Sequence, residues 1–288
     1  MKRSFLKMHG LGNDFVILDH RTRAEPLSHA EICLICDRRR GIGCDQLIVL
    51  ESPQAPHQAS FMRIYNSDGS QSEACGNATR CVGKLLLAGR DTIAQSRSVI
   101  GSLGGDLAIE ILGENNIQVE MPIPRLAWHE IPLRGDAPPN LADPTLYIDR
   151  AWGVLTSPTA TNMGNPHVTF FVENIAQIPI DELGSLVEND PLFPSRINVG
   201  IAQILARDTV RLRVWERGAG LTQACGSGAC AALVAAVRRG LCDKKATLKL
   251  DGGDLTITWR DRNAPVLMSG AAALSFQGIW DGSEAING

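Results

Sequence analysis

Short apolar runs bounded by Gly, Asn, Asp and Ser dominate the chain, and only a few longer stretches carry helical periodicity. Lys7-Met8-His9-Gly10-Leu11-Gly12-Asn13-Asp14 reads as a turn leading into a strand over 15–18. Ser28 and Glu31 have capping-box spacing ahead of Ile32, Leu34 and Ile35, which predicts a helix that the Gly41 region ends. Strands are predicted over 47–50 and 61–65, followed by the polar turn Asn66-Ser67-Asp68-Gly69-Ser70. Next, Ala74-Cys75-Gly76-Asn77-Ala78-Thr79-Arg80-Cys81 opens a helix predicted to bury Val82, Leu85 and Leu86 and to stop at Gly89. Gly104-Gly105-Asp106-Leu107 turns into two more strands. From Pro122 to Pro144, prolines at 122, 124, 132, 138, 139 and 144 break both periodicities and predict a connection between lobes.

A second series then follows in the same order. Gly164-Asn165 precedes a strand over 167–171, as Gly12-Asn13 precedes the strand over 15–18. Asp181 starts a helix where Ser28 did. Residues 210–216 align without a gap on the strand of Arg63, so that Asn66 falls on Glu216 and Cys75 on Cys225. Gly252-Gly253-Asp254-Leu255 answers Gly104-Gly105-Asp106-Leu107. One such match is cheap, but the ordered set predicts an internal duplication, and its spacing is far longer than the 20–50 residues of stacked repeats. The second central helix, over 229–237, is apolar nearly all round and must be covered on every side. The economical arrangement in each lobe is a curved sheet wrapped on a buried helix, with a cysteine at the helix N-terminus. The fold class expected is α+β, in two similar, pseudo-twofold-related lobes.

Bulk properties narrow the function. The 288 residues are 44% hydrophobic, enough for a sizeable core in each of two domains. A formal charge of −3 with both signs interspersed offers no face for nucleic acid or anionic lipid. The partner expected is therefore a small molecule or another copy of the chain, as a homodimer, with no nucleic acid and no membrane. No secretory h-region follows Lys2, Arg3 and Lys7, so a cytoplasmic protein is expected, in which eight cysteines stay free or serve chemistry.

A thiol becomes a base only as a thiolate, with a reference pKa near 8.5. Helix N-terminal amides favour that anion, and the amides of Gly76, Asn77, Gly226 and Ser227 would also grip a substrate carboxylate. Abstraction of an amino-acid α-proton sends charge into the carboxylate, so donors held there stabilise the transition state more than the ground state. Thiols on opposite faces of the carbon, Cys75 and Cys225, would invert it.

The sequence resembles the diaminopimelate epimerase family over nearly its whole length. The resemblance runs through Lys7 to Phe15, Gly41-Ile42-Gly43-Cys44-Asp45-Gln46, Asn66 to Ser70, both cysteine stretches, Met163-Gly164-Asn165-Pro166-His167, Asn198-Val199, Glu216-Arg217-Gly218-Ala219-Gly220 and Gln277-Gly278-Ile279-Trp280. It implies a pyridoxal-phosphate-independent epimerase without metal or other cofactor, interconverting LL- and meso-diaminopimelate in lysine and peptidoglycan precursor synthesis. Cys75 and Cys225 are implied as the base and acid. Asn13, Gln46, Asn66, Asn165, Asn198, Glu216 and Arg217 are implied to hold the substrate, with His167 and Glu216 tuning the thiols. The family fold implies lobes of 1–122 with 272–288 and of 123–271. Three departures stand out: Ala78-Thr79 where Gly-Ala is common, Leu221 where Glu is common, and Cys44 where Ala is common.

Other readings weigh against these. A racemase or epimerase of a smaller amino acid, of the proline or hydroxyproline type, would also use two thiols, but Asn66, Asn198 and Arg217 would have no distal amino-acid end to bind. A non-catalytic thiol or metal protein is the rival from another class; Cys33-Leu34-Ile35-Cys36 has zinc-like spacing, yet no second close pair follows. Cys81, Cys230 and Cys242 read as core or surface thiols, and Cys44 as structural.

Overall fold

The computed structural model describes residues 2–23, 25–73, 75–87, 96–113, 115–138 and 142–282. The chain divides into two compact units, Met1–Val119 with Gly270–Gly288, and Glu120–Ser269. In the first, β1 (Lys2–Gly10) and β2 (Asn13–Asp19) form a hairpin, α1 (His29–Cys36) crosses to β3 (Gln46–Glu51), and β4 (Ser60–Asn66) and the short β5 (Gln71–Ser72) lead to α2 (Gly76–Leu87). β6 (Arg97–Ser102), β7 (Gly105–Gly113) and β8 (Asn116–Met121) follow. The second unit carries β9 (Ala151–Trp152), β10 (Leu155–Thr156), β11 (Thr159–Asn162), β12 (Pro166–Phe171), α3 (Ile180–Glu188), β13 (Asn198–Ala206), β14 (Thr209–Glu216) and β15 (Gly220–Thr222). It continues through α4 (Gly226–Arg238), β16 (Lys245–Leu250), β17 (Gly253–Trp259) and β18 (Val266–Ala271). The last strand, β19 (Ala273–Asp281), lies antiparallel to β1, from Lys2↔Asp281 to His9↔Ala273. The class is α+β.

The two units share one strand topology down to register. β2 runs parallel to β3 with Phe15 opposite Gln46, and β12 runs parallel to β13 with His167 opposite Asn198. Tyr65 pairs with Gln71 and Trp215 with Leu221. The late hairpins close on Ser102↔Gly105 and Leu250↔Gly253. In each unit the fourth long strand is parallel to the strand after the central helix, as Phe61↔Gly101 and Arg211↔Lys249. A hydrophobic pattern of period two fixes such registers, because a slip of one residue would turn every buried side chain outward.

Each central helix is covered. From Gly228 to Ala236 every residue of α4 is buried, against β11–β14, β16 and β17. An all-apolar helix is stable only under such cover. The first-unit helix α2 packs on β1, β6 and β7 and buries Asn77 to Gly83, Leu86 and Leu87. Leu85, expected in the core, is half-buried, and Leu87 takes that place. The expected stop at Gly89 lies outside the described residues.

Two expectations are corrected. Lys7 to Gly10 belong to β1, and the turn shrinks to Leu11-Gly12, both in left-handed conformation (φ 58° and 87°), as a two-residue hairpin of type I′ requires. Lys7 disguised the strand: it is buried, and its ammonium is satisfied 2.6 Å from Asp14. The proline-rich segment is not a bare connection either. Ile131 and Leu133 enter the second unit's core with Trp152, Phe170, Val187 and Ile197, while Asn162 Nδ2 donates to the Glu130 carbonyl at 2.6 Å. Prolines break backbone ladders, but they leave the side chains between them free to bury.

Candidate active site

In the first unit, Asn13, Gln46 and Asn66 stand at neighbouring ends of β2, β3 and β4, and Asn13 is bonded to the start of α2. Gln46 sits opposite Asn66 in the ladder and donates from Nε2 to its Oδ1 at 2.9 Å. Asn66 also donates to Ser70 Oγ at 3.0 Å, across a turn in which Gly69 N–H returns to the Asn66 carbonyl. Asn13 accepts from Asn77 Nδ2 at 3.1 Å and donates to Asp45 Oδ2 at 2.8 Å, tying strand end to helix start. Asp45 is part of a cluster with Arg38 and Asp14. Burial opposes ionisation of Asp14, but Arg38 and Lys7 outweigh it and hold the carboxyl well below the usual range. Cys75 precedes α2 and is half-buried; its carbonyl receives Thr79 N–H at 2.9 Å and Thr79 Oγ1–H at 2.8 Å. The N–H groups of Gly76 and Asn77 lie ahead of this first helical bond, at the positive end of the helix.

The second unit repeats the plan with different chemistry. His167 and Asn198 stand opposite each other at the ends of β12 and β13, and Glu216 closes β14 one residue beyond the Val199↔Trp215 pair. Cys225 caps α4 with its own sulfur, which accepts Gly228 N–H at 3.3 Å, while Ala229 N–H bonds the Cys225 carbonyl at 2.9 Å. Gly226 and Ser227 supply the remaining terminal amides. Ser227 Oγ lies 3.6 Å from Cys225 Sγ and 3.1 Å from His167 Nε2, which is also 2.9 Å from Asn165 Oδ1. Burial, then the charge of Glu216, pushes the Cys225 thiol well above its ordinary value, against the bonds from Ser227 and Gly228. Burial and Glu216 thus both favour the protonated thiol at Cys225.

Burial, reinforced by the charge of Arg217, holds His167 down to about 3, so its imidazole is neutral and reaches Cys225 through Ser227 by hydrogen bonding. An unfolded histidine takes up a proton near pH 6.5, while the folded chain resists until about 3. The unfolded state thus binds more protons in that window, and stability falls as pH drops through it. Urea unfolding at pH 7 and 4.5 should show the native chain losing up to about 3 kcal/mol more than a His167→Asn variant. Equal losses would place His167 outside this buried, neutral state.

Further residues support the site, and Glu188 and Thr222 among them carry no signal in the sequence. Buried Glu188, at the end of α3, accepts from Trp215 Nε1 at 2.7 Å, Gly218 N at 2.9 Å and Arg196 Nη1 at 3.1 Å, and so holds the turn after β14. Asn198 spends its amide on the Pro166 carbonyl and the Arg217 N–H, both at 2.9 Å, and Arg217 Nη1 donates to the Ser195 carbonyl at 2.9 Å. Thr222 Oγ1 donates to Glu216 at 2.5 Å, while Leu221 beside it packs on the core cluster of the unit. Gly228 has no room for a side chain: a Cβ there would stand 3.0 Å from Val214 and 3.1 Å from Cys225 Sγ. Among the described residues no group of three or more His, Cys, Asp or Glu is arranged to hold a metal ion, and no helix is long and apolar enough to cross a membrane.

This duplicated fold is shared by solved proteins of low sequence identity. A hydroxyproline epimerase from Agrobacterium vitis, solved with bound trans-4-hydroxy-L-proline, superposes with TM-score 0.67 at 13% identity, covering 96% of this chain and 92% of that one. A PhzF-family phenazine biosynthesis protein from Bacillus anthracis gives 0.68 at 13%, over 98% and 99%. At such identities the likeness is one of fold. The family model for diaminopimelate epimerase matches residues 5–126 and 159–275. A diaminopimelate epimerase from Acidiphilium cryptum is 51% identical over 97% of this chain and 96% of its own length, and one from Phenylobacterium zucineum 47% over 96% and 98%. The chain belongs to the diaminopimelate epimerase family, and so to the isomerases.

Proposed function

We propose that this chain interconverts LL- and meso-diaminopimelate by moving the α-proton between Cys75 and Cys225, without pyridoxal phosphate. The observation that carries the reading is the repeated half-site: in each unit polar side chains stand at three neighbouring strand ends and are hydrogen-bonded to the first turn of a covered helix headed by a cysteine, through Asn13 to Asn77 and through His167 to Ser227. In this reading, one cysteine as thiolate takes the proton from one face of the α-carbon and the other, as thiol, delivers one to the opposite face. The charge that forms enters the carboxylate, where the amides of Gly76, Asn77, Gly226 and Ser227 stabilise it. Burial and Glu216 favour Cys225 as the thiol in the resting enzyme and leave Cys75 as the base. Asn13, Gln46, Asn66, Asn165, Asn198, Glu216 and Arg217 hold the substrate, mainly its distal ammonium and carboxylate, with Asn198 also fixing the backbone of Arg217. His167 tunes Cys225 through Ser227.

A cytoplasmic enzyme fits eight free cysteines, and a homodimer is the assembly to test by sedimentation. The deciding experiment incubates reduced protein with diaminopimelate, proline or hydroxyproline in deuterated water and follows α-hydrogen exchange and inversion. Diaminopimelate alone should exchange and invert. Exchange no faster than in a Cys75→Ala/Cys225→Ala double variant would refute the reading, and turnover of proline instead would move the chain to the smaller-substrate class.

A further inference from the structure

Cys36 and Cys44 take no part in the proposed chemistry, yet their sulfurs lie 3.6 Å apart in the core of the first unit. Cys36 ends α1, and the chain folds back on itself so that Ile42 and Gly43 N–H both bond the Ile35 carbonyl, at 3.1 and 2.9 Å, and Cys44 N–H bonds the Cys36 carbonyl at 3.2 Å. A left-handed Gly43 (φ 80°) makes the return, and Gly41 lies so close that a Cβ would stand 1.7 Å from the Leu34 carbonyl oxygen. The backbone thus presses the two thiols together from both sides, among Val16, Leu18, Ile32, Ile35, Leu47 and Val49. A backbone bond between the two residues keeps their Cα atoms near the roughly 4.4–6.8 Å that a disulfide spans. Two buried cysteines that served only as small apolar side chains would need no such pairing, nor a cation beside them. Here Lys7, held by Asp14 and by the Gly43 carbonyl, supplies one.

We propose that Cys36 and Cys44 are a dithiol site that a small hydroperoxide converts to a disulfide, coupling thiol oxidation to the strand start that carries Asp45 and Gln46. The hydrogen bond with Cys36 lowers Cys44 against burial, with help from the Val16 N–H and from Lys7, and the same pairing raises Cys36. Lys7, whose ammonium bonds the carbonyl of Gly43 next to Cys44, marks Cys44 as the nucleophile of the pair. The Cys44 thiolate attacks one peroxide oxygen, breaking the O–O bond to give a sulfenic acid and hydroxide. The Cys36 thiol then attacks that sulfur, the S–S bond forms, and the hydroxyl leaves with the thiol proton as water; two electrons pass from sulfur to peroxide. Hydrogen peroxide, little larger than water, enters by local opening of residues 37–43. Closing the sulfurs from 3.6 Å to about 2.05 Å is taken up by the two side chains together with a small shift of Cys44 toward the end of α1. The residues moved with it are Asp45, bonded to Asn13 and to the Asp14 N–H, and Gln46, bonded to Asn66. This consequence for substrate binding rests on the reading proposed above, whereas the disulfide itself does not.

The test uses the full chain as a Cys75→Ala/Cys225→Ala variant, so that the proposed catalytic thiols cannot compete. After complete reduction it is treated with a small excess of hydrogen peroxide, free thiols are alkylated in denaturant, and the protein is digested without reductant for mass spectrometry. A peptide pair joined through Cys36 and Cys44 is expected, lost with dithiothreitol and absent when Cys44→Ala is added. Both residues alkylated, or Cys36 joined to Cys33 instead, would overturn the site. Coupling is read separately with otherwise native chains: peroxide should raise the KM for diaminopimelate by about tenfold more in the native protein than in Cys44→Ala, reversibly, a displacement of about 1 Å costing up to about 100-fold. A disulfide that leaves KM unchanged would overturn the coupling.

Discussion

Replacing either Cys75 or Cys225 by alanine is expected to lower kcat/KM for diaminopimelate inversion by about 10²–10⁴-fold, the usual contribution of a positioned acid or base. The two losses should not add. Inversion requires a group on each face of the α-carbon, so a chain lacking one thiol has lost the reaction as fully as a chain lacking both. Hydrogen exchange separates the cases that inversion merges. With Cys225→Ala the remaining thiol still faces one side of the carbon, so one epimer should exchange its α-hydrogen with deuterated water without inverting. Cys75→Ala should leave the opposite epimer in that position. A single variant that keeps more than about a tenth of native kcat/KM would sink the two-thiol mechanism. Thermal unfolding of each variant guards against a trivial loss, because Cys225 lies buried at the head of α4, where its sulfur receives the Gly228 N–H. Ala at that position leaves this amide without its partner, at a cost of about 1 kcal/mol.

The plan of the molecule is legible in the sequence because duplication writes every feature twice. Gly12-Asn13 and Gly164-Asn165 mark equivalent turns, with Gly12 and Gly164 both left-handed (φ 87° and 96°), and the two cysteine stretches mark the helix starts. The capping box at Ser28 and Glu31 is found as read, its reciprocal bonds at 3.2 and 2.9 Å. What is not legible depends on contacts between distant residues. The strand through Lys7 hides behind a charge whose partner, Asp14, lies across the hairpin. Glu188 looks like one more acidic residue on a helix, yet it is buried and accepts three hydrogen bonds that place the turn carrying Arg217. The same holds for Asp45, whose bond to Asn13 joins residues 32 positions apart. Pattern reveals which face is buried; it does not reveal which polar group will meet which.

Glu216 decides how far Cys225 can serve as an acid. Its carboxylate bonds the thiol and repels the thiolate, adding to burial, so the proton stays on Cys225 to higher pH than on an ordinary cysteine. If the step in which Cys225 donates limits the rate at high pH, activity is lost where this thiol ionises. Glu216→Gln keeps the shape and the acceptor for Thr222 Oγ1 but removes the charge. The sign follows: without the carboxylate the thiolate is less disfavoured, Cys225 ionises at lower pH, and the basic limb of the kcat/KM profile moves to lower pH. On the proposed reading the variant also loses a charged hydrogen bond to the substrate, which lowers kcat/KM at the optimum by about 10- to 100-fold. The two effects are separable, since a lost contact lowers the whole profile while a changed thiol displaces one limb. Direct titration of Cys225 by pH-dependent alkylation in a Cys75→Ala background, with and without Glu216→Gln, reads the second effect alone. An unmoved limb with an unmoved alkylation profile would remove Glu216 from the tuning of Cys225 and leave it a binding residue only.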